Sequence, residues 1–362
     1  MGDPITELRL LADRPGSASR ELDPPNPELR SVVAGDATDT RLLRPLTELD
    51  PTEFTQTVAQ SSDTPETHSP AAPEPNVAPS SEDRLTALRL YAEARISSAD
   101  NKHSRAISLL DRAVALDPES PEIWRALGDA RRAERFENSA YEAYRRAAEL
   151  GSNEPQTLLL AGLGAKTRDR PEAAAEWLLR AVRAEPGHAD PLIAYAAAVA
   201  LGESLIELGY LTAGLDALAE GVQIPRIARV PTEVGREAAD VQRRLGLLRM
   251  LQGDTLLRLG RNAEAASAYQ AARGLPGAEG VRDRLIYALR TSGNDAGAAL
   301  VLIDEIRETP RVAPDAARLL AVLAGSIEPR SLVSDAVASL DDRGSASRRA
   351  DLLALRASTL PK

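Results

Sequence analysis

The side chains that most often carry out catalysis are scarce in this chain of 362 residues. It contains no cysteine, which excludes disulfides, thiolate zinc sites, iron–sulfur clusters and thiol nucleophiles. Its three histidines, His68, His103 and His188, fall in unrelated parts of the chain. They therefore predict neither a metal site nor a proton relay. We expect a non-enzymatic protein without a cofactor.

The nearest approach to a phosphate-binding loop is the segment Gly162-Leu163-Gly164-Ala165-Lys166-Thr167. Such a loop needs a glycine directly before its lysine, and it follows a β-strand. Here an alanine precedes Lys166 and the surrounding residues have helical periodicity, so the segment is predicted to end a helix. Acidic pairs such as Asp304-Glu305 and Asp341-Asp342 are typical of solvated helix faces and helix caps.

Charge is concentrated in the first quarter of the chain. Residues 1–83 hold six arginines and sixteen acidic residues, so the whole formal charge of −10 lies there. The remainder is neutral and has no basic stripe that could neutralise phosphates, which argues against nucleic acid as a partner. No stretch approaches the roughly 18 apolar residues of a membrane span.

The N-terminus has neither the basic region nor the apolar region of a signal peptide. A cytoplasmic location is therefore favoured, and an extracytoplasmic one stays open if a signal segment has been removed. The chain holds 41 arginines against three lysines, a bias that suggests a GC-rich bacterial genome.

Residues 1–83 are predicted to be a disordered, acidic, proline-rich tail and linker. They contain one aromatic residue, Phe54, and short apolar clusters between prolines and glycines. Such a segment buries too little surface to offset its chain entropy. The alternative is that its two apolar clusters, around Leu8 and around Leu43, are docking motifs that fold on a partner.

From Arg84 onward the sequence changes to amphipathic helix with a period of 34 residues. Ala106-x3-Leu110-x2-Ala113-x4-Pro118 recurs as Ala174-x3-Leu178-x2-Ala181-x4-Pro186, with Ala140-x3-Tyr144-x2-Ala147 midway. Small residues let two helices approach, and the large ones fill the space beside them. Helices of half a period are too short to bury their own apolar stripe, so we expect them to stack on neighbours.

Together with Trp124-x2-Leu127-Gly128, this pattern resembles the tetratricopeptide repeat family, whose units are helix-turn-helix hairpins. The resemblance implies an all-α fold, a right-handed α-solenoid over residues 84–362 behind a disordered N-terminal segment. Its units would be 87–120, 121–154, 155–188, 195–228, 246–279 and 280–313, with a degenerate unit at 314–347 and a capping helix at 348–361. We expect Trp124 to be buried between the first two units, and Trp177 to face a neighbouring unit or solvent.

The resemblance also implies a concave groove, built by the first helix of each unit, that binds a protein or peptide segment. The groove residues it implies in this chain are Tyr91, Arg95, Arg125, Asp129, Arg132, Leu159, Leu163 and Lys166. The alternative is an ordinary solvated surface with an i, i+4 ion pair between Arg125 and Asp129. We also expect an acidic and apolar piece of the tail, residues 46–54, to enter this groove and compete with the partner.

The function that follows is a non-enzymatic scaffold or adaptor for a protein or peptide partner. A second interpretation is that the chain is the regulatory or targeting part of a larger enzyme-containing protein. A third is self-association through the repeat surface.

Overall fold

A computed structural model of the chain describes residues 4–13, 40–54, 79–184, 191–223, 236–309, 312–329, 331–340 and 346–360. These residues form helices joined by turns, with no strand among them, so the predicted all-α fold is confirmed. None of the described helices is long and apolar enough to cross a bilayer. His68, His188, Pro186 and much of the predicted acidic tail and linker lie outside the described residues.

The helices are, in chain order, α1 (Pro4–Ala12), α2 (Ser81–Ala99), α3 (His103–Leu116), α4 (Pro121–Ala133), α5 (Glu137–Glu149), α6 (Pro155–Lys166), α7 (Pro171–Arg183), α8 (Pro191–Glu207), α9 (Leu211–Gln223), α10 (Arg236–Arg258), α11 (Asn262–Ala272), α12 (Val281–Thr291), α13 (Asp295–Glu308), α14 (Pro314–Ala324), α15 (Ser331–Ala338) and α16 (Ala346–Thr359). Consecutive helices pack as hairpins, namely α2/α3, α4/α5, α6/α7, α8/α9, α10/α11 and α12/α13.

The chain divides into two compact units. The 38–230 unit contains α2 to α9. The C-terminal unit combines residues 1–37 with residues 231–362, and therefore contains α1 and α10 to α16.

Local sequence signals explain where several helices begin. Ser80 and Asp83 cap α2 reciprocally, because the Ser80 hydroxyl accepts from the Asp83 N–H and the Asp83 carboxylate accepts from the Ser80 N–H. Proline occupies the first turn of α4, α6 and α7, where its missing N–H costs nothing. Each of these helices therefore starts at a defined residue.

Within each hairpin the chain reverses through a residue with left-handed backbone geometry. Five successive hairpins place it at the same repeat position: Asn101, Arg135, Asp169, Gly209 and Gly260, with φ between 56° and 88°. Side chains disfavour this region, so the first three hairpins accept a strained residue to make the turn. The constant position gives these five hairpins the same connection.

A small residue on the first helix of a hairpin faces a large residue sixteen positions later on the second helix. The pairs are Gly128/Tyr144, Gly162/Leu178, Gly202/Leu218 and Gly253/Tyr269. A Cβ atom at Gly128 would lie 2.6 Å from the Tyr144 ring, and one at Gly162 would lie 2.5 Å from Leu178 Cγ. Glycine is therefore what lets these two helices approach so closely.

The structure differs from the predicted disorder over two parts of residues 1–83. Helix α1 packs on α13 and α15 with Leu8 fully buried, and Asn294 Nδ2 donates to the Ala12 carbonyl at 2.7 Å. Residues 40–54 pack against α9, with Phe54 buried. Neither segment could form a core alone, but each adds apolar side chains to a core that the helices already provide.

Candidate functional site

The eight residues predicted to line a groove lie on the first helices of three consecutive hairpins. Tyr91 and Arg95 are on α2; Arg125, Asp129 and Arg132 are on α4; Leu159, Leu163 and Lys166 are on α6. Among these first helices, α2 packs on α4, and α6 packs on α8. Two of the three helices that carry the predicted residues, α2 and α4, are therefore in direct contact.

On α2 a tyrosine and an arginine form one exposed group. Arg95 Nη1 donates to the Tyr91 hydroxyl at 3.1 Å, and the guanidinium carbon lies 5.9 Å from the centre of the ring. Leu88, one turn before Tyr91, is 60% exposed. This end of the surface therefore combines a positive charge with accessible apolar area.

On α4 the predicted residues contact other helices. Arg125 binds the Glu154 carboxylate, with distances of 3.1 Å from Nε and 3.2 Å from Nη1, and thereby links α4 to the residue that precedes α6. Asp129 accepts a hydrogen bond of 2.9 Å from the Tyr144 hydroxyl. Arg125 thus pairs with the next hairpin rather than with Asp129, while Asp129 and Arg132 remain exposed.

The same Gly-Asp and tyrosine arrangement recurs in the C-terminal unit. The Tyr269 hydroxyl donates to Asp254 Oδ1 at 2.5 Å, and Arg284 Nε donates to the same oxygen at 3.0 Å. Burial, and then the negative charge of the aspartate, raise the pKa of both Tyr144 and Tyr269. Both hydroxyls therefore stay protonated and act as donors.

We expect Asp254→Ala to lower the free energy of unfolding by about 1–3 kcal/mol, since it leaves a buried tyrosine hydroxyl and Arg284 without this acceptor. Asp129→Ala removes one hydrogen bond from a more exposed carboxylate and should cost less. Local hydrogen exchange in α10/α11 and in α4/α5 measures the two effects. An equal loss of protection at both sites would contradict the expectation.

On α6 one of the three residues predicted to line the groove is buried. Leu159 is 6% exposed and belongs to the apolar core, because α6 is apolar on most of its circumference and packs between hairpins. Leu163 is 36% exposed. Lys166 pairs with Glu203 of α8, and burial lowers the pKa of this lysine. It therefore ties α6 to α8.

The glycine-rich segment at the end of α6 serves packing. The helix ends at Lys166, as predicted. A Cβ atom at Gly164 would overlap the Tyr141 ring of the preceding hairpin, just as one at Gly162 would overlap Leu178. Among the described residues no group of three histidine, aspartate or glutamate side chains is arranged to hold a metal ion.

A second packed surface involves residues 40–54, which we call the strap. It contains two 3-10 turns, Thr40–Leu43 and Leu46–Glu48, followed by a helical turn over 51–54. The prediction put residues 46–54 among the first helices, but the structure places them against α7 and α9, which are second helices. A usable signal was Asp50-Pro51-Thr52-Glu53, a helix-start motif inside the apparently unstructured tail.

Polar groups of α7 and α9 hold the strap by its main chain. Arg183 Nη2 donates to the carbonyls of Leu46 and Leu49 at 3.1 and 2.7 Å. The Leu46 N–H donates to Asp216 Oδ2 at 3.1 Å, and Thr212 Oγ1 donates to the Leu42 carbonyl at 2.9 Å. The strap is therefore bound through main-chain atoms, which every residue except proline supplies in full.

A cleft of about 710 Å³ lies beside the strap. Its lining residues are Pro51, Asn153, Glu154, Pro155, Arg180, Arg183 and Ala184. Arg180 also donates to the carbonyls of Ala148 and Ser152, at 3.3 and 3.0 Å, and so closes the end of α5.

Comparison with known proteins gives one direct match: a family model described as Tetratricopeptide repeat matches residues 85–130. No curated protein matches the chain. Three solved structures illustrate its similarity to known folds. They are MamA protein (15% identity, 58% of this chain and 94% of that chain, TM-score 0.38), YrrB, a TPR protein with an unusual peptide-binding site (16%, 71% and 99%, 0.38), and Naa15/Naa10 bound to HypK-THB (18%, 77% and 39%, 0.43). Their TM-scores are below 0.5, so no argument rests on them.

The matched residues cover most of α2, all of α3 and the first part of α4. The hairpins α6/α7, α8/α9 and α10/α11 repeat this turn geometry and the pairing of a small with a large residue. The chain therefore contains a tetratricopeptide repeat over residues 85–130.

Proposed function

We propose that this protein is a non-enzymatic scaffold that binds a protein or peptide segment along the first helices α2, α4 and α6. The partner that suits this surface has acidic and apolar side chains, because Arg95 and Arg132 supply positive charge and Leu88 and Leu163 supply apolar area.

The observation that carries the proposal is that neighbouring first helices are tied to one another while their outer side chains stay accessible. Arg125 binds Glu154 ahead of α6, and Lys166 binds Glu203 of α8. A surface that is already ordered loses little entropy when a partner binds. Leu159 is excluded from this surface because it is buried.

The double variant Arg95→Glu and Arg132→Glu tests the proposal. We expect about tenfold weaker capture of the partner from native lysate, which corresponds to about 1.4 kcal/mol. The remaining interaction should depend less on salt, since exposed charges are screened over about 10 Å at 0.1 M. Quantitative mass spectrometry of the captured proteins measures this.

Arg112→Glu with Arg135→Glu is the matched control, because it makes the same charge change in the same two hairpins, on the second helix and in a turn. Capture should be unchanged by the control pair. Equal losses with both pairs would show a general charge effect and contradict binding along the first helices.

A further inference from the structure

We propose that the surface of α7, α9 and Tyr210 beneath the strap is a second docking site. The external ligand of this site is a protein segment whose apolar residues have the spacing found in the strap, Leu-x2-Leu-x4-Phe. The strap occupies the same site within the chain and can be exchanged for that ligand. This site is separate from the first-helix surface of the proposed function and does not depend on it.

The first argument is that the polar contacts recognise a backbone shape rather than a unique sequence. Asp216 accepts the N–H of Leu46, the first residue of the Leu46–Glu48 turn, and Arg183 donates to the carbonyls of Leu46 and of Leu49, the residue after the turn. An acidic acceptor and a basic donor suit the main-chain donors and acceptors of a short turn. Any segment that forms this turn can make the same bonds.

The second argument is that three apolar side chains supply the specificity. Leu46, Leu49 and Phe54 are each at most 6% exposed and belong to the same core as Trp177. Phe54 meets Tyr210 edge to face, with ring centres 5.7 Å apart. Burial of such side chains is worth about 1.5–3 kcal/mol each, so a segment without them should bind far less well.

The third argument is that the strap has its own internal order. Arg44 binds the Glu53 carboxylate through two nitrogens, at 2.7 and 3.0 Å, and this bond lowers the pKa of Glu53. The Asp50 N–H donates to Glu53, and the Asp50 carboxylate accepts from Thr52. A segment that keeps its turns when released loses less entropy on docking again.

The fourth argument concerns the connections of the strap. Residues 14–39 and 55–78 join it to α1 and to the residues before α2. A strap that leaves its site therefore stays covalently joined to the hairpins. A tethered segment competes at an effective concentration of about 1 mM, which an external ligand must overcome.

The test uses the full chain with a spin label on the strap. The protein contains no cysteine, so Thr47→Cys, at an exposed position of the second 3-10 turn, can be labelled alone. The label should be immobilised in the unliganded protein. A synthetic peptide of residues 40–54 should convert it to the mobile form, with a midpoint at about 1 mM.

The control peptide carries Leu46→Ser and Leu49→Ser, and it should displace less than a tenth as much strap at the same concentration. The proposal is overturned if the label is already mobile without peptide, if it stays immobilised at 10-fold above the expected midpoint, or if the control peptide displaces it equally well.

A protein variant provides an independent readout. In the labelled chain, Arg183→Ala should mobilise the label without peptide, because it removes both carbonyl contacts. Arg180→Ala, one turn earlier on α7, should leave the label immobilised, since its bonds are to Ala148 and Ser152. Circular dichroism checks that both variants keep their helix content. Equal mobility in the two variants would count against specific docking through Arg183.

Discussion

Gly253→Ala is expected to lower the local free energy of unfolding of α10/α11 by about 2–3 kcal/mol, although alanine is the better helix former by about 1 kcal/mol. The added methyl group would overlap the Tyr269 ring. That ring is fully buried and its hydroxyl is held by Asp254 at 2.5 Å, so it cannot move aside. The two helices must separate instead.

Gly221→Ala is the control, because a Cβ atom there meets its nearest neighbours at 3.5 Å, an ordinary contact. Four other hairpins hold alanine at this repeat position: Ala113, Ala147, Ala181 and Ala272. This variant should be neutral or slightly stabilising. Hydrogen exchange of each hairpin measures both changes, and a similar loss in the two variants would mean that the clash with Tyr269 is not the cause.

A second substitution tests whether the size of the facing side chain causes the loss. The first hairpin has Ala94 and Leu110 at the positions of Gly253 and Tyr269. Adding Tyr269→Leu to Gly253→Ala copies that natural pair and should restore part of the lost protection. No restoration would indicate that the backbone separation, rather than the size of the facing side chain, determines the cost.

Trp177→Ala should cost about 3–5 kcal/mol, the largest effect that we expect from a single truncation in the 38–230 unit. Trp177 is 5% exposed and lies in the core shared by α5 to α9 and the strap. Removing it leaves a cavity that rigid helices fill only in part. We expect hydrogen exchange to rise in α6 to α9 and the strap.

Trp124→Ala should cost less, about 1–2 kcal/mol, because Trp124 is only half-buried. Its indole N–H donates to the Pro118 carbonyl at 2.9 Å, and the loss of this hydrogen bond is part of that cost. The two variants also leave one tryptophan each, so fluorescence can follow each region separately. In a stack of nearest neighbours, neither change should alter exchange in α12 to α15. A larger effect of Trp124→Ala would reverse the ranking that burial predicts.

The hairpins could be predicted from the sequence because their cause repeats. A small residue, a large residue sixteen positions later and a turn recur at fixed spacing, so the same local interactions form in successive hairpins. Trp124 was predicted to be buried and is only half-buried, whereas Trp177, predicted to face a neighbouring unit or solvent, is 5% exposed. The repeat pattern places Trp177 beside the position of Leu178, and only the neighbouring elements determine what covers it.

The strap and the groove residues show where sequence reasoning stops. Leu46, Leu49 and Phe54 are too few to indicate a core, and their burial depends on α7 and α9, which are far away in sequence. The sequence offers two acidic partners for Arg125, namely Asp129 and Glu154, and helical spacing predicted the ion pair with Asp129. The choice of Glu154 depends on how one hairpin stacks on the next, which no local pattern encodes.

The position of α1 has a consequence for biosynthesis. It is translated well before α13 and α15, the helices on which Leu8 is buried and to which Asn294 connects it. Throughout synthesis of the 38–230 unit, α1 has no native partner, and its apolar face is open to the ribosome surface and to chaperones. Helix α1 can therefore reach its final packing only after translation has passed residue 338.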